Sequence, residues 1–461
     1  MHTGRKTVFA ACVLGALAGV VAGQVVHETI KLVPADVEET DVFGYSVAVQ
    51  GSLALIGAIS SQGAAVDSGT VYIFDISDPA NPVQLAEFFS AGGQAGDRFG
   101  AAVDLDGDLA LVGADLDDTG TNWNIGAAYI FDVSDPTTPI ERAQVLPTGT
   151  WVSGYFGASV SINNGVGVVG SPFDNSLAST GAAYIYDLAD PASPVLANKL
   201  LNNPPSGFSD FGDAVSLSSG LLAVGDPARS EPGLGTGAAF VYDISNPYAP
   251  SLAARLLPAD VSTCVCLGDS VAIDDGAALV GAPHSSMGGS SYLFDLADPG
   301  APLQMWKLQP DSISAQLGDA VAIDAQRLVV GAAGEQNYTG AAYLFDRHSG
   351  GLIAKLVPSD GAPSDFFGYA VAVSGDTVLV SAPWNGEFGE RAGAVYIFDL
   401  SPGGCNAADL AEPYGVLDLA DINAFIAGFL AADPIADLNS DGIHDLADIG
   451  VFVSEFVAGC P

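Results

Sequence analysis

FGASVSINNGVGVVGSPFDNSLASTGAAYIYD, residues 156–187, is the stretch whose reading decides the fold. It opens on Phe156-Gly157, runs through a short alternating strand and turns at Asn163-Asn164-Gly165. An apolar strand then ends in the corner Gly170-Ser171-Pro172, and after a variable loop comes Gly181-Ala182-Ala183-Tyr184-Ile185-Tyr186-Asp187. The opening phrase recurs at Phe43-Gly44, Phe99-Gly100, Phe211-Gly212 and Phe367-Gly368, with Leu267-Gly268 and Leu317-Gly318 in the two remaining slots. The spacings are 56, 57, 55, 56, 50 and 50 residues, so the chain holds seven units. The corner returns as Gly57-Ala58-Ile59, Gly281-Ala282-Pro283 and Ser381-Ala382-Pro383, and the closing strand returns at 126–132 and 340–346.

That strand commonly runs into Asp-Pro, at Asp78-Pro79, Asp135-Pro136, Asp190-Pro191 and Asp298-Pro299. Proline presets φ for the first central position of a type I turn, so a hairpin into a fourth strand is expected, such as Val83 to Phe89. Four short strands per unit, seven times over, predict an all-β seven-bladed propeller spanning 24–400. The seventh unit stops at Asp399-Leu400 with no fourth strand, because Ser401-Pro402-Gly403-Gly404 breaks the pattern. Thr29-Ile30-Lys31-Leu32-Val33-Pro34-Ala35-Asp36 closely matches Ile353-Ala354-Lys355-Leu356-Val357-Pro358-Ser359-Asp360, the fourth strand of unit six. The N-terminal strand is therefore expected to complete blade seven.

Composition narrows the function. Thirteen basic against 54 acidic residues give a net charge of −41, which argues against nucleic acid and anionic membranes. Arg5-Lys6 followed by an uncharged run from Thr7 to Gly23 predicts a signal peptide over 1–23, cut near Gln24, rather than a membrane anchor. Secretion follows as an expectation, with no membrane insertion of the mature chain. Beyond that segment the cysteines are Cys264, Cys266, Cys405 and Cys460, an even number, as an oxidising compartment permits. Cys264 and Cys266 share one strand face, where a strained local disulfide and two separate thiols are equal readings.

Phe-Gly and Gly-Ala-Pro in a sevenfold array resemble the FG-GAP repeats of integrin-like propellers and their bacterial extracellular relatives, over roughly residues 25–400. In the integrin type an Asp-rich calcium loop often lies between the two phrases. Here the turns read Val49-Gln50-Gly51-Ser52, Asn163-Asn164-Gly165 and Ser218-Ser219-Gly220, so blade-borne calcium is not carried over. Asp104-Leu105-Asp106-Gly107-Asp108 is too short to wrap an ion and reads as a hairpin turn. The loops after the corner vary most. Trp123 in the second unit, beside Asp115, Asp117, Asp118 and Asn124, and Trp384 in the seventh, beside Asn385 and Glu387, are the candidate ligand-binding residues. A tryptophan next to carboxylates and amides stacks on a sugar ring or anchors a peptide; the alternative is a ring packed over its own blade. Asp97, Asp210 and Asp365, each just ahead of the Phe-Gly phrase or its neighbour, read as turn caps. No catalytic residue is assigned. His27, His284, His348 and His444 show no metal-ligand spacing, and no nucleophile elbow or phosphate loop is present.

After the linker 401–404 the period changes from 2 to 3.6 over 405–461. Ile422, Phe425, Ile426, Phe429 and Leu430 form one apolar stripe, and Ile449, Phe452, Val453, Phe456 and Val457 repeat it. Ahead of the second stripe, Asp437, Asn439, Asp441, Asp445 and Asp448 hold loop positions 1, 3, 5, 9 and 12, with Gly442 at 6 and the Ile443 carbonyl at 7. That spacing wraps calcium. Asp at position 12, where the helix begins, resembles a type I dockerin more than an EF-hand. The first copy is degenerate, with Asp409, Asp418 and Asp421 at ligand positions and one extra residue, so its occupancy is left open. Cys405 and Cys460 bracket this small all-α module and are expected to close a disulfide clasp. In dockerins, loop positions 10 and 11 commonly help recognise a cohesin; here they are Leu419-Ala420 and Leu446-Ala447, which either dock a partner or only pack the helix starts.

The sequence thus suggests a secreted, non-enzymatic binding or scaffold protein, with a recognition propeller and a calcium-dependent module that attaches to a cohesin-like or cell-surface protein. The alternative is a polysaccharide-binding or polysaccharide-degrading component.

Overall fold

The computed structural model describes residues 24–118, 123–148, 153–175, 181–202, 209–231, 234–260, 266–285, 288–309, 315–400, 419–431, 436, 448–449 and 451–453. The predicted signal segment, Cys264, Cys405, Cys460, Asp409, Asp418, Leu446, Ala447 and all the second-loop ligands except Asp448 lie outside them. The chain divides into two compact units, with Ala22–Asp399 forming one and Leu400–Pro461 belonging to the other.

Ala22–Asp399 is a seven-bladed β-propeller. Blade one is an antiparallel sheet of Phe43–Gln50, Leu53–Ala58, Thr70–Asp75 and Val83–Phe88, in chain order. Blades two to six repeat it. The first strands of successive blades pack against one another around the ring, and that of blade seven, Val371–Ser374, packs on that of blade one. The second and third strands are buried along nearly their whole length, as short continuous apolar runs require. The fourth strand is half-exposed on the outside. In blades one to six the pairing of third and fourth strands shifts by a bulge at the same point, at Ile73/Phe74 in blade one and Leu344/Phe345 in blade six. An extra residue there sharpens the strand twist.

Blade seven is finished by the other end of the chain. Ile30–Leu32 pairs antiparallel with Ala394–Asp399, with Ile30 opposite Ile397, Lys31 opposite Tyr396 and Leu32 opposite Val395. Just upstream, Gln24–Val26 lies parallel on Leu352–Leu356 as a fifth, outermost strand of blade six. The N-terminal segment therefore crosses from the rim of one blade to the rim of the next.

The repeated phrases are explained at the blade seams. Each Phe of Phe-Gly is buried and meets the aromatic ring of its own third strand edge-on, as Phe43 does Tyr72 at 5.5 Å and Phe156 does Tyr184 at 5.0 Å. Its backbone bridges the glycine that opens the third strand of the preceding blade, Phe156 with Gly126 and, across the closing seam, Phe43 with Gly393. The backbones touch so closely that no side chain fits. A Cβ on Gly113, in the corner phrase of blade two, would sit 2.0 Å from the Gly157 carbonyl oxygen of blade three. One on Gly157, whose φ is +95°, would sit 2.4 Å from the Ala127 oxygen.

Turns account for many of the carboxylates. Asp78, Asp135, Asp190 and Asp298 each accept the backbone N–H two residues on, and their carbonyls close the turn three residues on. Asp75, Asp132, Asp187, Asp243 and Asp295 cap the end of their third strands in the same way. These hydrogen bonds hold the carboxyls of Asp75, Asp187 and Asp243 below the usual carboxylate range, and the Thr137 hydroxyl with its N–H does the same for Asp135. Asp106 flanks a two-residue hairpin turn and Asp104 lies two residues before it; both face blade three, where Asp104 accepts Ile162 N–H at 2.8 Å and Asp106 accepts Asn164 N–H at 2.6 Å.

In the second unit a helix spans Leu419–Ala431, and residues 448–449 and 451–453 are helical. Phe425 stacks on Phe452 at 4.2 Å, with Ile422, Phe429 and Ile449 packed around them. Among the described residues no helix is long and apolar enough to cross a membrane.

Candidate binding cleft between blades six and seven

The antiparallel order of every blade sends its second-to-third loop, and the loop into the next blade, to one rim of the ring; the short hairpins and Asp-Pro turns go to the other. The variable loops therefore share a rim on a rigid scaffold, where binding residues commonly sit. On that rim a cleft of about 1050 Å³ opens between the loop that leads from blade six into blade seven and the loop after the blade seven corner. Its lining includes Trp384, Phe366, Asn385, Glu387, Asp360 and Asp365.

Trp384 follows the Ala382-Pro383 corner and is half-buried. Its ring leans on Phe366 at 4.8 Å and meets Tyr369 edge-on at 4.9 Å, while Phe366 stacks on Tyr338 at 4.9 Å. Phe366 and Tyr338 both adopt left-handed backbone, φ 57° and 63°. Side chains with a Cβ avoid that region, and the surrounding fold holds them in it. The aromatic floor is thus packed over its own blade and also lines the cleft. Trp123 stands on blade two and is 72 % exposed, so the structure does not bring the two predicted tryptophans together.

The polar wall is organised by Lys31. Its ammonium donates to Asp360 at 2.6 Å, Glu387 at 2.5 Å and the Asn385 side-chain oxygen at 3.1 Å, and it lies 5.5 Å from the Tyr396 ring centre. Tyr396 donates its hydroxyl to Asp360 at 2.9 Å. Burial raises the Asp360 carboxyl, but Lys31 and Tyr396 outweigh it and hold it below the usual range. Asp365 is raised by burial and accepts Ala362 N–H at 2.9 Å and the Asn385 amide at 3.1 Å. Asp365 and Asp97 thus cap the turns three residues before them. Lys31, Asp360 and Phe366 were not singled out from the sequence. The match of Lys31 to Lys355 is the signal that points to Lys31 and, one loop further on, to Asp360.

A second concentration of charge lies where three successive blades begin. Asp213, Asp269 and Asp319 directly follow the repeated glycine in blades four, five and six, each half-buried. Burial, then the neighbouring Asp269, Asp210 and Asp226, raise Asp213 to about 7. Burial and Asp269 raise Asp319 to about 7, and burial raises Asp269 to about 6 against the pull of His284. Among the described residues no group of three His, Cys, Asp or Glu side chains is placed to hold a metal ion. Of the predicted calcium ligands, Asp448 is buried at a helical stretch, and Asp421, with Leu419 and Ala420, lies in the first turn of the helix.

Comparison with known families matches the FG-GAP repeat over residues 26–74, 82–131 and 351–398. The propeller carries FG-GAP repeats. Each matched segment starts ahead of a fourth strand, takes it in and ends on the third strand of the following blade. The sequence unit is therefore one strand out of phase with the structural blade, which leaves the first strand of the FG-GAP array to close its last blade. The LVIVD repeat matches residues 64–88, the third and fourth strands of blade one with the loop before them. No curated protein matches the chain.

Proposed function

We propose that the FG-GAP propeller is a non-catalytic recognition module and that its cleft between blades six and seven binds carbohydrate. The observation that carries this reading is the half-buried Trp384, braced by Phe366 and Tyr369 beneath a polar wall of Asp360, Asn385 and Glu387. An aromatic face takes the apolar face of a sugar ring, and acceptors around it take hydroxyl protons. The wider reading is a secreted scaffold protein whose C-terminal dockerin-like module binds calcium and attaches the propeller to a cohesin-like or cell-surface partner. The ligand spacing from Asp437 to Asp448 supports it, with Leu419-Ala420 and Leu446-Ala447 as the docking pairs and Cys405–Cys460 as the clasp.

A screen of the full chain on soluble and insoluble polysaccharides, reading both retention and reducing-end release, tests the cleft. Retention without release is expected, and Trp384→Ala should lower affinity by at least about tenfold while Trp123→Ala leaves it unchanged. Release of reducing ends would replace this reading with a degradative one. Retention equal in wild type and Trp384→Ala would place the ligand elsewhere.

A further inference from the structure

Five blades face an aromatic ring of the third strand with a cation from the fourth: Lys199 opposite Tyr184, Arg255 opposite Phe240, Lys307 opposite Tyr292, Lys355 opposite Tyr343 and Lys31 opposite Tyr396. In the four pairs built on tyrosine, a carboxylate completes the set, such as Asp174 for Lys199 at 2.9 Å and Glu335 for Lys355. In blades three and six the tyrosine also donates to that carboxylate, Tyr184 at 2.5 Å and Tyr343 at 2.8 Å. Blades one and two depart, with Glu87 and Gln144 at the cation's place.

The blade seven triad differs from those of blades three and six in two respects. Its cation comes from the opposite end of the chain, so the triad spans the one seam that no covalent link between strands holds. Its carboxylates also face water. The side chains of Asp360 and Glu387 are 36 % and 55 % exposed, whereas those of Asp174 and Glu335 are 0 % and 4 % exposed. Exposed pairs are screened by salt and buried ones much less. Blade five also exposes its carboxylate, Asp260, but its fourth strand is continuous with the third.

The other fastenings of the strand respond little to salt: a ladder of three residues, the Thr29 N–H on the Ile397 oxygen at 2.7 Å, Asp399 N–H on the Thr29 hydroxyl at 2.9 Å, Leu32 buried with Val395 and Ile397, and the Gln24–Val26 ladder on blade six, with Glu28 on Ser359. Charge-assisted hydrogen bonds are about twice as strong as neutral ones, so Lys31 supplies the main salt-dependent part of what holds the strand. We propose that Lys31 is an ionic-strength-sensitive latch on the ring, whose release frees the N-terminal strand, bares the edge of blade seven and loosens the cleft wall it holds. The latch stands independently of what the cleft binds.

Hydrogen exchange on the full chain tests it. Raising sodium chloride from about 0.05 M to about 1 M should speed exchange in 24–32 and 394–399 by about tenfold or more, the scale of one lost charge-assisted bond. Exchange in blade three, 182–187 and 195–201, should stay put. Lys31→Met should reproduce the fast exchange at low salt and remove the salt response, and Lys31→Arg should restore protection. Lys199→Met, which breaks the equivalent triad inside a continuous blade, should leave the N-terminal segment protected. Seam exchange indifferent to salt overturns the proposal, even if Lys31→Met fails to fold. So does an increase shared equally by all blades.

Discussion

At the scale of single residues, the rim carries carboxyls whose protonation folding changes. Asp213 and Asp319 sit near 7 and Asp269 near 6, against an ordinary value of about 3.9. The folded chain therefore binds more protons than the unfolded one between roughly pH 4 and 7, and stability falls as pH rises through that window. Burial is the first cause at all three; Asp269, Asp210 and Asp226 add repulsion at Asp213, Asp269 adds it at Asp319, and His284 pulls Asp269 back down. Asp213→Asn keeps the neutral shape and removes the titration. It should flatten part of the decline and leave the variant more stable than wild type at pH 8 by on the order of 1 kcal/mol. Melting temperature against pH for both proteins reads this directly; parallel curves would mean that burial and its neighbours do not hold Asp213 protonated. The same scale explains why tryptophan position was legible but its role was not. Trp123 and Trp384 look alike in sequence, both in a loop after a corner and beside carboxylates. Only the packing of Phe366 and Tyr369 distinguishes a braced floor from an exposed ring.

At the scale of the element, the phrase Phe-Gly with Gly-Ala-Pro is a seam device. The phenylalanine fills the space beside its own third strand, and the glycines let two blades approach backbone to backbone. Contact, and not the turn alone, makes the corner glycine necessary. Gly113→Ala places a methyl group 2.0 Å from a carbonyl oxygen that no rotamer can move and should cost about 3 kcal/mol. Gly107→Ala meets nothing within 4 Å and has only a left-handed φ of +57° to contend with, so it should cost about 1 kcal/mol. Chemical denaturation of the two variants decides between these accounts; equal losses would show that backbone conformation governs both positions. Leu267 and Leu317 fit the same scheme, since each is buried where the other blades place phenylalanine.

At the scale of the molecule, the two units predict two transitions. The loop proposed for calcium spaces Asp437, Asp441, Asp445 and Asp448 as ligands, and four carboxylates drawn to one ion would repel without it. Calorimetry of the full chain should show calcium raising the melting of the C-terminal unit while the propeller transition hardly moves, and excess chelator should remove the former alone. Asp441→Ala with Asp448→Ala should abolish the calcium response. A C-terminal transition unaffected by chelator would leave the loop as a solvated acidic turn.

Some of this protein was determined by its sequence alone. Six spacings of 50 to 57 residues mark seven units and so the number of blades, because a unit that cannot bury both faces must pack on the next until the ring closes. The likeness of Thr29–Asp36 to Ile353–Asp360 identifies which strand is missing from the last blade, since repeats preserve the pattern of a strand wherever the chain places it. Other features were decided only in three dimensions. The extra strand Gln24–Val26 is set by an open edge on blade six, and three residues carry too little pattern to announce it. The cleft depends on Asp360, Trp384 and Lys31 meeting from two ends of the chain, and a contact separated by more than three hundred residues leaves no local periodicity to read. The exposure that sets the Lys31 latch apart from the Lys199 and Lys355 triads follows from which loops fold over each carboxylate, and loop packing belongs to the tertiary structure.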